Sequence, residues 1–306
     1  SFEGWNDDIV FPMLMPKKGF KEVFDKIKNH PKFEDFDGNN FSPVRELDAT
    51  NDKSLMADNP KATKGLIPVY KESSFNFWLN DSEKYYDWMD ENIGVNHLFK
   101  KRKKQILTKS SAFFGMSKSW ADDINTLPFF KPRICFRDIT RSSDPRTSIA
   151  SLIPPKVFIQ NTAPYLLERK NNIAEEAYLL GILSSIPFDW IARRFVELHL
   201  SFYLINFLPV PTYDPDNIEC RKIVNISGRL AAQDERYQQW AEAIGVEVNS
   251  VKTEKEKKQL IIELDSLVSK RYGFNYEDVE IIFETHHKII DQDRLDKVLT
   301  NFKELK

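Results

Sequence analysis

The chain has 306 residues, with 44 Lys and Arg against 46 Asp and Glu, a formal net charge of −2, and a composition that is 41% hydrophobic and 29% charged. A chain of this length can bury the core of one large or two ordinary domains, and its balance excludes a disordered polymer. Bulk charge announces no nucleic-acid partner, so any such partner has to be argued from local charge.

Cys135 and Cys220 supply neither a disulfide framework nor a metal quartet nor a Cys-x-x-Cys redox pair, which fits a reducing, cytoplasmic setting. The longest apolar run, around residues 202–210, is well short of the roughly 18 residues a membrane span needs. No basic-then-apolar leader opens the chain. Its start at Ser1-Phe2-Glu3 leads us to expect a piece of a longer protein.

Trp5, Ile9, Phe11, Met13 and Leu14 give the first residues some apolar content. Residues 17–28 are predicted to form an amphipathic helix with Phe20, Val23, Phe24 and Ile27 on one face, ended by Pro31. Residues 43–52 are polar and turn-rich, and Asp48 and Asp52 read as solvated loop acids rather than metal ligands. Leu66, Ile67, Val69 and Tyr70 suggest a strand, followed by a polar turn over 71–74 and by Phe75, Phe77 and Trp78. Tyr85, Tyr86 and Trp88 read as packing residues.

Charge then shifts. Residues 95–150 hold twelve Lys and Arg (Lys100, Lys101, Arg102, Lys103, Lys104, Lys109, Lys118, Lys131, Arg133, Arg137, Arg141 and Arg146) against Asp122, Asp123, Asp138 and Asp144, an excess of eight positive charges. A surface that tracks phosphates needs such an excess, because neutralising them releases condensed counterions. For Lys100, Lys101, Arg102, Lys103 and Lys104 a solvated helix face remains an equal alternative.

Within this region, PRICFRDITRSSDPRTSIASLIPP (132–155) reads as a hairpin. Period-two alternation over 133–140 puts Arg133, Cys135 and Arg137 on one strand face and Ile134, Phe136 and Asp138 on the other. Arg141-Ser142-Ser143-Asp144-Pro145 is a turn, and a return strand runs from Arg146 through Ile149, Leu152 and Ile153. The tip would present Arg137, Arg141, Ser142, Ser143 and Arg146. Arginine makes bidentate contacts to guanine or phosphate, and serine hydroxyls bond base edges or backbone. The competing use, strongest for Arg137, is pairing with Asp138 and Asp144.

Residues 156–160 suggest another strand and 161–172 a connector. From Glu175 and Glu176 the chain becomes apolar all round through Leu183, as a buried helix does. Ser184, Ser185 and Pro187 should stop it near Ser185. A second helix is expected over 188–198 and a strand over 201–208, which is short, aromatic and runs into Pro209-Val210-Pro211. Further helices are expected over 227–244 and 251–272. Gly273 would end the latter, Asn275 would cap a following helix bearing Val279, Ile282 and Phe283, and His286 and His287 would lie on the surface near its end. The expected fold class is α+β: a lobe over 1–220 with a mixed β-sheet and packed helices, then a helical region over 221–306.

Four phrases carry a resemblance. GILSSIPFDWIARR followed by NFLPVP is similar to the end of the target recognition domain in type IIG restriction-modification enzymes and related adenine-specific DNA methyltransferases, and more distantly to type I specificity subunits. PVYKESSFNFW resembles a family strand but lacks its glycine. The 132–155 hairpin matches the family's Arg-Asp-x-(Thr/Ser) strand, Ser/Thr-rich turn and Arg-Thr return ending in Pro-Pro, and ELDSLVSKRYGFNYEDVEIIFE is similar to the family's C-terminal tail. The resemblance implies the C-terminal, DNA-recognising portion of a methyltransferase of a restriction-modification or phage-defence system. Double-stranded DNA would be the partner of this portion. An upstream domain of the parent chain, fused in some systems to an endonuclease, would bind S-adenosylmethionine and methylate a flipped adenine.

The chain itself has no Gly-x-Gly, and its one Pro-Pro, Pro154-Pro155, is flanked by Ile153 and Lys156 rather than by a base-holding motif. No catalytic, metal or cofactor residues are therefore expected in it. A protein-interaction module with an incidental basic segment is the alternative.

Overall fold

The computed structural model of the chain describes residues 18–36, 38, 40–57, 65–286 and 292–305. The apolar residues at 5–14 and His287 lie outside them. α1 (Phe20–Ile27) buries Phe20, Val23, Phe24 and Ile27, as its helical spacing predicts. There follow β1 (Phe41–Val44), β2 (Leu66–Tyr70), β3 (Asp87–Asp90), α2 (Glu91–Gln105), α3 (Lys118–Asp122), β4 (Arg133–Phe136), β5 (Ala150–Ile153), β6 (Phe158–Ile159) and β7 (Tyr165–Glu168). One sheet has the order β1-β7-β4-β5 and is antiparallel throughout. The other, β3-β2-β6, is mixed, β2 running antiparallel to β3 and parallel to β6.

The β4–β5 hairpin forms in the expected register region, Arg133 facing Ile153 and Phe136 facing Ala150. Its regular part is shorter than predicted, and 137–149 make a long loop. Alternation holds along β4. Ile134 and Phe136 enter the core beneath the helices, whereas Cys135 enters a second core on the opposite face with Tyr165, Leu167 and Ile159. The stretch 161–172, expected to be a connector, contains β7. Its Leu166-Leu167-Glu168 gives no strand signal of its own; pairing with β1 on one edge and β4 on the other makes it a strand.

α4 (Ile173–Leu183) is capped by Asn172, whose side chain accepts from Glu175 N, and every residue from Glu175 to Leu183 is buried. α5 (Ile186–Ala192) starts earlier and ends sooner than the predicted 188–198. Ser185 caps it, and Pro187 sits in the first turn, where a missing N–H costs nothing. The predicted strand over 201–208 is instead a helix, α6 (Phe202–Phe207), because Ser201 accepts from Leu204 N and closes an N-cap. Extended backbone begins only at Leu208: Phe33 N donates to Leu208 O at 2.8 Å and Val210 N to Pro31 O at 2.9 Å.

α7 (Ile218–Ala231), α8 (Gln238–Ala243), α9 (Glu254–Arg271), α10 (Tyr276–His286) and α11 (Gln292–Glu304) complete the chain. The helix expected over 227–244 is thus two helices, the first beginning at an Asn217 cap. Gly273, at φ 72, ends α9, with Phe274 N bonded back to Ser269 O at 3.1 Å. Asn275 caps α10 reciprocally: its Oδ1 accepts from Asp278 N at 2.9 Å, and Asp278 Oδ2 accepts from Asn275 N at 2.7 Å. The boundary expected between 220 and 221 falls inside α7, and one apolar core runs from α1 and α4 through α7 and α9 to α11.

Candidate nucleic-acid interface

The loop between β4 and β5 is built on its own short turn. Asp144 Oδ2 accepts from Arg141 N at 2.9 Å, and Thr147 Oγ1 donates to Arg141 O at 3.1 Å. Its inner edge is tied to α5. Arg193, at the C-cap of α5, donates to Ser142 O and, at 3.1 Å, to Pro145 O. Asp189 Oδ1 accepts from Thr147 N at 2.7 Å and from Ser148 N. Two carbonyls and two amides of the loop are thereby satisfied by one helix, while Arg141 and Ser143 are left exposed and Ser142 partly so.

The arginines expected at the tip separate. Arg141 faces solvent. Arg146 turns inward: it donates to Ser184 O at 2.8 Å and Ser185 O at 3.0 Å, lies 3.6 Å from Asp189, and sits over the Phe77 ring. Arg137 is half-buried and donates to Phe75 O. Arg133 is buried against Glu46 at 3.1 Å and donates to Val157 O at 2.8 Å. The guanidinium groups of Arg146, Arg137 and Arg133 are thus engaged within the chain, Arg137 by a carbonyl and the other two by carbonyls and acids.

Asp189 is the centre of that inward cluster. Burial pushes its carboxyl up, but Arg146, the hydrogen bond with His286 and Arg193 together hold it well below the usual carboxylate range. His286, expected on the surface, is buried on α10 and bonds Asp189 through Nε2. An ionised carboxylate only accepts, so that nitrogen carries the proton. Burial pushes the imidazole's pKa down, against the upward pull of the Asp189 carboxylate.

The basic run on α2 also divides. Arg102 is buried, donating to Ala121 O at 2.9 Å and Asp123 O at 2.7 Å and stacking over Trp120. Lys103 pairs with Asp122 at 3.1 Å. Lys101 donates to Glu46 O at 2.6 Å and is partly exposed, while Lys100 and Lys104 are exposed. Lys100 and Lys104, four apart, lie on one helix face.

Sequence reasoning missed Arg45. Its guanidinium bonds Asp138 at 2.9 Å, lies 4.8 Å from the Phe202 ring centroid, and leaves half the side chain in solvent. His199 Nδ1 approaches the same Asp138 at 3.5 Å, and the backbone of 138–140 pairs with 198–200 through Thr140 N to Leu198 O and Leu200 N to Asp138 O. Arg45 and His199 thus share Asp138, Lys101 bonds the carbonyl of Glu46 beside Arg45, and Thr140, which pairs with Leu198, precedes Arg141 in the chain; this run of basic residues is termed the ridge, and Ile139, Leu198 and Tyr203 are exposed. No local signal marks Arg45, because its nearer partner in the chain, Asp138, lies 93 residues away and Phe202 farther still.

Asp48 and Asp52 serve their own turn: Asp48 Oδ1 accepts from Thr50 N and Asn51 N, and Asp52 accepts from Asp48 N while approaching His97 at 3.1 Å. Asp52 is buried rather than solvated. Among the described residues no group of His, Cys, Asp and Glu could hold a metal ion, and no helix is long and apolar enough to cross a membrane. Cys135 and Cys220 are buried and free.

No family model matches the chain, and no curated protein matches it. Among solved structures, 84% of the chain aligns with 34% of the type IIG restriction endonuclease BpuSI, at 14% identity and a TM-score of 0.42. The same share aligns with 34% of the Type IIL restriction-modification enzyme MmeI, solved in complex with DNA, at 15% identity and a TM-score of 0.38. The chain spans about a third of the length of each.

Proposed function

We propose that this chain reads duplex DNA as the sequence-recognising portion of an adenine-specific, S-adenosylmethionine-dependent DNA methyltransferase of a restriction-modification system, working in the cytoplasm. The observation that carries the reading is that Arg141 stands in solvent on a loop held at four backbone groups by Arg193 and Asp189, while Arg45, Lys101, Lys100 and Lys104 keep cationic side chains partly or wholly exposed. Arg141 and Ser143 would meet base edges, and the flanking cations would meet phosphates. The four family-like phrases, occurring in the family's order, support the same reading. An upstream domain of the parent chain would hold S-adenosylmethionine and the reacting adenine; nothing in the chemistry of this portion requires it to react.

A gel-shift titration of the chain with duplex DNA at two salt concentrations tests the proposal. Binding that weakens steeply with salt is expected. A folded chain that fails to bind at low salt would overturn it and favour a protein-interaction module.

A further inference from the structure

Arg193, His286 and Asp189 have no part in the ridge, yet they determine the shape of its tip. We propose that Arg193 and His286 are positioning residues that preorganise the 141–148 loop for base reading, acting through Ser142, Pro145 and Asp189, so that a residue of the C-terminal helical region tunes DNA specificity. The inference rests on the DNA-reading function proposed above.

The argument is geometric. Arg193 bridges the two loop carbonyls, at Ser142 and Pro145, and also Asp189 at 3.2 Å. Asp189 in turn holds the amides of Thr147 and Ser148 with one oxygen, and meets His286 and Arg193 with the other. His286 reaches this carboxylate from α10, 97 positions along the chain. A loop clamped at carbonyls on one side of Arg146 and at amides on the other has little freedom left to lose when it binds, and the same clamp fixes where Arg141 and Ser143 point.

The experiment uses the full chain, with the variants Arg193→Ala, His286→Ala and His286→Gln. Amide exchange of 142–148 is followed by mass spectrometry, and affinity is measured for duplexes enriched from a randomised pool by the wild type and for the unselected pool. In Arg193→Ala and His286→Ala, exchange should quicken and the enriched-to-unselected affinity ratio should fall about tenfold, the equivalent of one good hydrogen bond. Affinity for the unselected pool should hold. His286→Gln, which keeps a donor, should fold and recover most of the ratio. Unchanged exchange in the alanine variants, or an unchanged ratio despite faster exchange, would overturn the positioning role alone. A wild type that enriches no duplex would overturn the DNA-reading function beneath it.

Discussion

At Arg141 the backbone is engaged by Asp144 and Thr147 while the guanidinium stands in solvent, whereas at Arg146 the guanidinium is spent on Ser184, Ser185 and Asp189. Arg141→Ala should therefore weaken binding to a selected duplex by ~1–3 kcal/mol, the worth of a bidentate base contact, and leave the melting temperature in place. Arg146→Ala should instead cost roughly 3–5 kcal/mol of stability, because it strips a buried carboxylate of a cation. Thermal melts beside gel shifts separate the two, and an Arg146→Ala chain with wild-type melting would show that the site is not as closed as its contacts imply. The sequence displays both arginines alike: it counts charge but conceals which charges the fold consumes.

Glu176 gives the same lesson with a proton. Burial pushes its carboxyl up to about 8 from an ordinary 4.5, against the downward pull of the Trp240 indole N–H, which donates to it at 2.8 Å. Between those values the unfolded chain is ionised and the native one protonated, so folding takes up a proton. The stability is full below 4.5 and falls by up to about 1.4 kcal/mol per pH unit as pH rises toward 8. Glu176→Gln keeps an acceptor for Trp240 without the charge. It should stabilise the chain at pH 8 and change little at pH 4, and urea melts at both pH values that show no difference between the two proteins would exclude the mechanism.

Among the elements, those whose identity was legible carry their cause locally. α1 and α9 show an apolar stripe, and Gly273 and Asn275 mark a helix end and the next beginning. α4 was legible as a buried helix for want of a polar face. β7 and α6 were not: the first is a strand only because β1 and β4 pair with it, and the second is too short for a period, its state decided by the Ser201 cap and by the 31–33 segment that claims the extended residues after it. α4 also owes its close packing to one residue. A Cβ built at Gly181 would stand 2.4 Å from Ser227 Oγ and 2.8 Å from Ile223 Cγ2 on α7, and 3.3 Å from Leu264 Cδ1 on α9. Although alanine favours helix, Gly181→Ala should destabilise by ~1–3 kcal/mol, as overpacking does. A chain stabilised by that change would mean that α4 and α7 part easily.

For the whole molecule, the expected division and the local charge excess each lead to a measurement. The expected division at 220 lies within α7, and one apolar core continues through α7 into α9 and α10. A chain ending at residue 220 would expose the α4 face that α7 and α9 cover, so it should show no cooperative melt, and a sharp melt would restore the division. The charge excess is smaller at the surface than in the sequence. Of the twelve cations over 95–150, Arg102, Arg133, Arg137 and Arg146 are withdrawn into the fold, which leaves eight on or near the surface of a chain whose net charge is only −2. Such a molecule would have little general attraction for DNA, and on the proposed reading its salt dependence would come from the few cations that touch phosphate. Each such contact contributes about 0.9 to the slope of log K against log salt. Replacing Lys100 and Lys104 together by Gln removes no ion pair among the described residues, so folding should be untouched and the slope should flatten by about 1.8. Titrations of wild type and double variant across the same salt series decide it. Parallel lines would move the phosphate contacts off α2 and leave the ridge to Arg45, Lys101 and Arg141.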